Sequence, residues 1–573
     1  MDNRNILSGN KIKSGGYSDQ PYIVQTDDNA WLLAVTTGSG HEGNAGQHIL
    51  SARSTDKGKT WGDYVNVESP ENPESSYAVL YKTKFGRVYC FYNYNKDNIR
   101  AVKTDMGETS RVDTQGYFVF KYSDDNGLSW SEKYQEIPVR KFNVDLTNPY
   151  GGEICYFWNV GKPLSQGNGV LVPLYKIGGF GPGFMHHSEC ALLYCENIDV
   201  ESNPDKLQWN TLPDGMDGIR APLELTDVSE EHSFVRLSDG TIFCVFRTIT
   251  GHPYCSYSRD NAHTFSPPEP MKYADGRLIN HPRAANFIWN CGDGKYLYWF
   301  HNNMTKWYDN RNVVWMSGAV EYMTDEGMKL KFSQPDIILY TDDRLKRISY
   351  PDLIIEDGEY YITETEKNTA RVHKLDNVLI ENLWNQFDDN IKFADDGIVI
   401  NKGDKFPAQT PFIKQVYDVD DNYSVATEKG SFAIKFKLNK LPCENRLLLS
   451  SITADGKVIA IEWDKCFSDR LNGNLKFYMS DGQCNVTFLV HNSIFTADKA
   501  YDVTFLIDGG SCVISAVIDS KLVNGSIYNP FGWTHFDRYI TSVSGGEVNY
   551  CDDISNVKYY NRLLTVSEAV KFM

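Results

Sequence analysis

A short turn recurs along the first half of the chain at long, regular intervals, and it constrains the fold more than any other feature. It occurs as STDKGKTW from Ser54, SDDNGLSW from Ser123 and SRDNAHTF from Ser258, a common S-x-D-x-G-x-[ST]-[WF] pattern. The pattern is that of a hairpin turn. The Asp carboxylate and the hydroxyls bond turn amides, glycine supplies a positive φ, and the aromatic packs beneath. Ala262 stands where the other copies have Gly58 and Gly127, so a distorted third turn is expected.

The aspartates lie at 56, 125 and 260, separations of 69 and 135, and the second is about twice the first, so one unit between them has lost its turn. Asp325-Glu-Gly327 falls 65 residues further on and reads as a degenerate fourth copy. A unit of this length holds one four-stranded sheet with its loops, and a fixed period of this kind marks a radial or arrayed repeat. Up to residue 380 there is room for roughly six such units. Strand-like runs such as YFVFKYS, TIFCVF and KYLYWF fill the intervals, and residues 377–387 (NVLIENLWNQF) form one short amphipathic helix candidate.

Composition agrees. Thirteen per cent aromatic residues, 35 Tyr and 44 Gly in 573 residues favour strands and tight turns. A net charge of −18 excludes a general nucleic-acid binder, which needs a basic face. No apolar run approaches the ~18 residues of a membrane span. The opening residues carry no apolar leader, which leaves a cytoplasmic protein or one produced without its leader. The 12 Cys include no C-x-x-C pair, so buried free thiols are expected and no metal or cofactor is assigned. Oligomeric state is left open.

Residues 381–428 read as an Asp/Asn-rich connector. From 429 the pattern becomes alternating strands of 7–10 residues with Asp-Gly and Asn-Gly turns, ending in a short helix. This segment, 429–573, resembles a laminin-G or concanavalin-like β-sandwich. Such a module binds sugar or serves structure alone, and Trp463 and Trp533 are read as core.

The turns themselves carry no chemistry. They are similar to the Asp boxes of the sialidase superfamily, which the chain resembles over about residues 10–380. The resemblance implies an all-β fold, a six-bladed β-propeller over 1–380 that is the catalytic unit, followed by the sandwich. It extends to four positions. Glu231 opens a strand eight residues before Asp239, and Arg247 ends the next strand seven after Gly240. In the family this Glu is the base for a tyrosine nucleophile and this Arg grips the substrate carboxylate. Arg311 resembles the next carboxylate ligand, and Tyr350, two residues before Asp352-Leu353, resembles the nucleophile. A neutral Tyr deprotonated as it attacks avoids the repulsion that an anionic Asp would meet from a carboxylate at the anomeric centre. The planar fork of Arg suits that carboxylate. Read alone, Arg247 fits a salt bridge between blades, Tyr350 channel packing and Glu231 a turn cap.

Two departures from the family pattern follow. Asp19 occupies the position of a third Arg, where it repels an anion or bonds sugar hydroxyls, so the expected sugar is a terminal acidic one and need not be sialic acid. The loop before the first box has no Asp to act as general acid. It holds His41, Glu42 and His48, of which Glu42 and His48 are the acid candidates and His41 a substrate-binding candidate. His232 and Arg283 are further substrate-binding candidates, and the pair His186-His187 follows a Gly-rich loop that reads as a rim. Three functions compete. The first is an exo-glycosidase that hydrolyses a terminal acidic sugar of a glycan through Tyr350 and Glu231. The second is a polysaccharide lyase that cleaves a uronate-containing glycan by His/Tyr elimination. The third is a non-catalytic glycan-binding protein.

Overall fold

The structure is a computed structural model of the full chain. It describes residues 2–572 apart from 182–183, 413, 417–423, 427–429, 466–472, 492–493 and 528. The molecule is all-β, with antiparallel sheets throughout its length and only short helices, and no helix among the described residues is long and apolar enough to cross a membrane.

Successive segments each form one antiparallel sheet. The first runs Tyr17–Gln25, Trp31–Gly38, His48–Ser54, Val65–Glu68, and the second Ser75–Lys82, Val88–Tyr94, Tyr117–Ser123, Gln135–Glu136. A third is built on the long hairpin Gly169–Gly181 and Phe184–Cys195, and a fourth runs Glu230–Arg236, Ile242–Arg247, Tyr254–Ser258, Glu269–Pro270. Another spans Phe287–Asn290 to Gly327–Phe332. In the last, Leu353–Glu356, Glu359–Thr365 and Ala370–Lys374 take their outer strand from the start of the chain, Asn10–Ile12. Pairing the first strand with the last removes one exposed sheet edge. The faces between neighbouring sheets are filled by apolar side chains such as Tyr89, Phe120, Leu192, Phe246 and Trp299.

The recurrent turn closes the third strand of three of these sheets. In each copy the Ser hydroxyl bonds the Asp carboxylate and accepts the N–H at the glycine position, while the carboxylate takes the amide and hydroxyl of the Ser/Thr four residues on. The expectation of a distorted third copy is corrected here. Ala262 adopts φ 74°, against 75° at Gly58 and 86° at Gly127, and keeps every bond. The Asp325 copy keeps its place but not its bonds. It lies at the same place in its sheet, but Thr324 pairs directly with Gly327, leaving a two-residue hairpin too tight for the Asp-box bonds.

Helix Asn377–Asn385, capped by Asp376, packs Ile380, Leu383 and Trp384 inward where the amphipathic pattern placed a helix. Beyond it, two further sheets share one core, with Phe432, Ile434 and Phe505 from one and Leu449, Ile461 and Phe477 from the other. Ile400, Phe406 and Phe412, within the stretch read as a connector, pack into this core as well. The remainder of that stretch at 413, 417–423 and 427–429 lies outside the described residues. Trp463 and Trp533 are buried, as read.

Candidate active site

The first strand of several sheets breaks its register near its start. Shifts fall between Asp19 and Tyr22, Ser76 and Val79, and Glu230 and Ser233. At these bulges Gln20, Tyr77 and Glu231 take φ of 52°, 63° and 54°, and Tyr350, just ahead of its strand, takes 48°. An L-residue in this region costs roughly 1–2 kcal/mol. A bulge re-aims a side chain that regular pleating would send to a sheet face. Tyr77, Glu231 and Tyr350 all face one cavity of about 310 Å³.

Tyr350 Oη donates to Glu231 Oε1 at 2.9 Å on the cavity wall. Glu231 Oε2 pairs with Arg247 Nη1 at 2.7 Å. Behind them Glu230, fully buried, takes Arg247 at 2.9 Å and Arg283 at 2.6 Å, so one carboxylate fixes two guanidinium groups. Arg311 donates to Ser349 Oγ at 2.8 Å and to the Arg283 carbonyl. No carboxylate among the described residues lies within ion-pair distance of it, although Arg311 is buried and faces the cavity. Tyr308 lies against all three arginines, its ring centroid 4.8–5.9 Å from their guanidinium carbons.

The opposite wall is a chain of ion pairs. Lys367 Nζ sits 2.6 Å from Asp19, 3.4 Å from Glu42 and 4.2 Å above the Tyr350 ring. Glu42 meets Arg111 at 3.4 Å, and Arg111 is itself held by Asp113 at 2.9 Å. Tyr77 Oη donates to Asp113 at 2.6 Å.

Protonation follows from this layout. Burial lifts Glu231 above the ordinary carboxylate range, against the pull of Arg247 and Arg311. Burial would also raise Glu230, but Arg283 and Arg247 outweigh it and hold Glu230 below that range. Burial and the charge of Glu231 push the Tyr350 phenol up to about 12. Glu42 is opposed by burial, yet Lys367 and Arg111 hold it at about 2. The site therefore presents a neutral phenol hydrogen-bonded to a carboxylate, beside cations that are not fully neutralised.

The structure brings together Tyr350, Glu231, Arg247, Arg311 and Glu42 on the cavity wall. Asp19 sits one ion pair behind, through Lys367. Four sequence candidates need correction. His41 is exposed and His48 bonds the Gly46 carbonyl, and neither lines the cavity. His232 follows Glu231 on the strand and points the other way, stacked 4.2 Å from Phe246 and driven by burial down to about 3. Arg283 is spent on Glu230 and the Met185 carbonyl, and acts behind the cavity. Sequence reading missed Arg111, Tyr77, Tyr308, Lys367, Trp158, Phe184 and Arg347, all lining residues, and Glu230. Glu230 had a signal in the doublet Glu230-Glu231, since two adjacent acids at a buried strand start need cations or donors to hold their charge.

Comparison with known proteins gives a partial likeness. No family model matches the chain. Over 171 residues, 28% of the chain, it is 30% identical to a sialidase of Clostridium perfringens, and the match spans 42% of that relative, less than half its length. Among solved structures, an intramolecular trans-sialidase of Ruminococcus gnavus in complex with oseltamivir carboxylate aligns at 14% identity and TM-score 0.44, over 65% of this chain and 98% of that one. A Trypanosoma rangeli sialidase aligns at 13% and 0.44, over 97% and 93%. A protein of unknown function from Dyadobacter fermentans aligns at 15% and 0.44, over 64% and 98%.

Proposed function

We propose that the chain is a sialidase-like exo-glycosidase that hydrolyses a terminal acidic sugar through Tyr350. Its successive N-terminal sheets are read as six blades of a propeller over 1–380, and the two later sheets as a sandwich over 429–573. The observation that carries the reading is the 2.9 Å bond from a buried Tyr350 phenol to Glu231, in a cavity that also exposes the anion-seeking Arg311. The local likeness to a clostridial sialidase supports it.

In the first step Tyr350 Oη bonds to the anomeric carbon while Glu231 takes its proton and the bond to the leaving oxygen breaks. That oxygen needs a proton, for which Glu42 is the carboxyl available in the cavity. Glu42 is ionised while Lys367 and Arg111 face it, so it works as an acid only after the incoming sugar carboxylate draws those cations away and Glu42 takes up a proton from solvent. In the second step water attacks the same carbon, gives its proton to Glu42, and Tyr350 recovers its proton from Glu231. Two displacements at one centre return the original anomeric configuration.

Elimination by histidine is the weaker reading, because no histidine is among the described residues that line the cavity. The test is a panel of sialosides and uronate glycans with products read by mass spectrometry. A released sugar carrying one added water, with Tyr350→Phe and Glu231→Gln each reduced by about a thousandfold or more in kcat while still folded, is the expected result. An unsaturated product, or both variants at wild-type rates, overturns it.

A further inference from the structure

The tip of the long hairpin Gly169–Gly181 and Phe184–Cys195 carries two consecutive histidines that the cavity does not use. Consecutive strand residues point to opposite faces. Here the register is the same on both sides, with Ile177 opposite Ser188 and Gly179 opposite His186, but the pair between them is lost and His187 takes φ 51°. Both imidazoles consequently face one place, their ring centroids 4.5 Å apart. Asp227 joins them, and one ligand atom from each of His186, His187 and Asp227 lies within 4.8 Å of the others.

The surrounding backbone holds this arrangement. Ser188 N–H donates to the Asp227 carbonyl at 2.9 Å, tying the Asp227 loop to the strand beside His187. Asp105 N–H donates to the Phe180 carbonyl at 3.1 Å, tying a third segment to the other arm of the hairpin. The Asp105 carboxylate then meets His186 Nε2 at 2.6 Å. A carboxylate on one ring nitrogen fixes the tautomer and turns the other nitrogen, Nδ1, into the basic lone pair, an arrangement common behind metal-ligating histidines.

We infer that His186, His187 and Asp227 form a binding site for a late first-row divalent cation such as Zn²⁺, with Asp105 orienting His186. Two imidazoles and a carboxylate are a donor set that Zn²⁺ accepts, with water completing four-coordination. The site sits on the rim. Phe184 and Met185, just ahead of the pair on the same strand, line the cavity, so a bound ion would pin the hairpin tip whose side chains form that wall. Spacing rules overlook such a site because its side chains come from three segments.

The test uses the full chain stripped with a chelator and titrated with Co²⁺ and then Zn²⁺ near pH 7.5. Co²⁺ should give one equivalent of a visible d–d band without the near-ultraviolet thiolate charge-transfer band that binding to cysteine would produce, and Zn²⁺ should displace it. His187→Ala and Asp227→Asn should abolish that equivalent, and Asp105→Asn should weaken it about 10–100-fold. The exposed His263, paired with Asp214 elsewhere on the surface, serves as control, and His263→Ala should leave the titration unchanged. All four side chains are at least partly exposed, so their variants should fold, which a thermal melt checks. Wild-type protein that binds no equivalent at 100-micromolar metal, or His187→Ala and Asp227→Asn variants that titrate like wild type, would overturn the site. Neither result depends on glycosidase activity.

Discussion

Tyr350 and Glu231 occupy backbone conformations that disfavour any side chain, and each gains from it the one direction that regular pleating denies. The cost of roughly 1–2 kcal/mol apiece is borne where the proposed chemistry needs a phenol and a carboxylate in contact. Because burial raises Glu231, the acid limb of kcat/KM should lie above the ordinary glutamate value, the rate falling with pH as Glu231 takes a proton in the free protein. A limb at or below pH 4 would remove Glu231 as the base. Glu42 allows a sharper test. Glu42→Gln should lower kcat/KM for glycosides with poor leaving groups by about 100-fold or more, yet leave kcat/KM for aryl glycosides nearly unchanged, since an aryl oxide departs without a proton and kcat/KM does not sense the later step in which Glu42 takes the proton of water. Equal losses on both would assign Glu42 to binding alone. At this scale the sequence spoke through motif positions, and Tyr350, Glu231, Arg247 and Arg311 were legible for that reason. Lys367 and Arg111 were not, because they reach the cavity from loops far from any motif and only ion-pair geometry reveals them.

The turn unit shows the opposite balance, with nearly all of it written in the sequence. Serine, aspartate and the following hydroxyl specify the same bonds in three copies, and only the glycine position varies. Ala262 illustrates why that variation is tolerated. Its αL strain is offset by a fully buried methyl and by reduced freedom of the unfolded chain, effects of about 1 kcal/mol each. Ala262→Gly should therefore leave the melting temperature within about 2 °C of wild type. Gly127→Ala should not, because its Cβ would lie 2.3 Å from Leu32 Cδ1 in addition to the strain. A loss of about 2–4 kcal/mol in denaturant unfolding is expected for it. If the two substitutions cost the same, packing beneath the turn does not set the glycine requirement. The hairpin bearing His186 and His187 was legible only as a Gly-rich rim, since a positive φ at a single strand residue such as His187 has no sequence signature of its own.

Across the whole molecule, charge and architecture work at different ranges. The chain carries −18 overall, while the cavity wall holds Arg111, Arg247, Arg311, Arg347 and Lys367. A long polyanion meets net repulsion on approach, whereas a single anionic sugar in a cavity of about 310 Å³ meets only the local cations. Contacts between the N-terminal sheets and the C-terminal segment are polar as well as apolar. Trp533 Nε1 donates to the Asn302 carbonyl at 2.7 Å, and Arg4 pairs with Asp508 at 2.7 Å. Asp336 accepts the first amides of the C-terminal helix Val566–Val570, at 2.6 and 3.2 Å. These long-range pairs join residues more than two hundred positions apart, which periodicity and turn chemistry cannot show. Burial, opposed by the Ser567 and Val566 bonds, leaves Asp336 raised to about 6. Its unfolded value is near 3.9, so the folded state binds the extra proton between about pH 4 and 6. The stability tied to that proton is complete below pH 4 and is lost as pH rises through 6, an effect of up to about 3 kcal/mol. Asp336→Asn removes the titration. The wild-type advantage over Asp336→Asn, measured by denaturant unfolding from pH 4 to 7, should therefore shrink as pH rises. A difference that stays flat, or grows, across that window would mean that the amides of the C-terminal helix hold Asp336 ionised throughout.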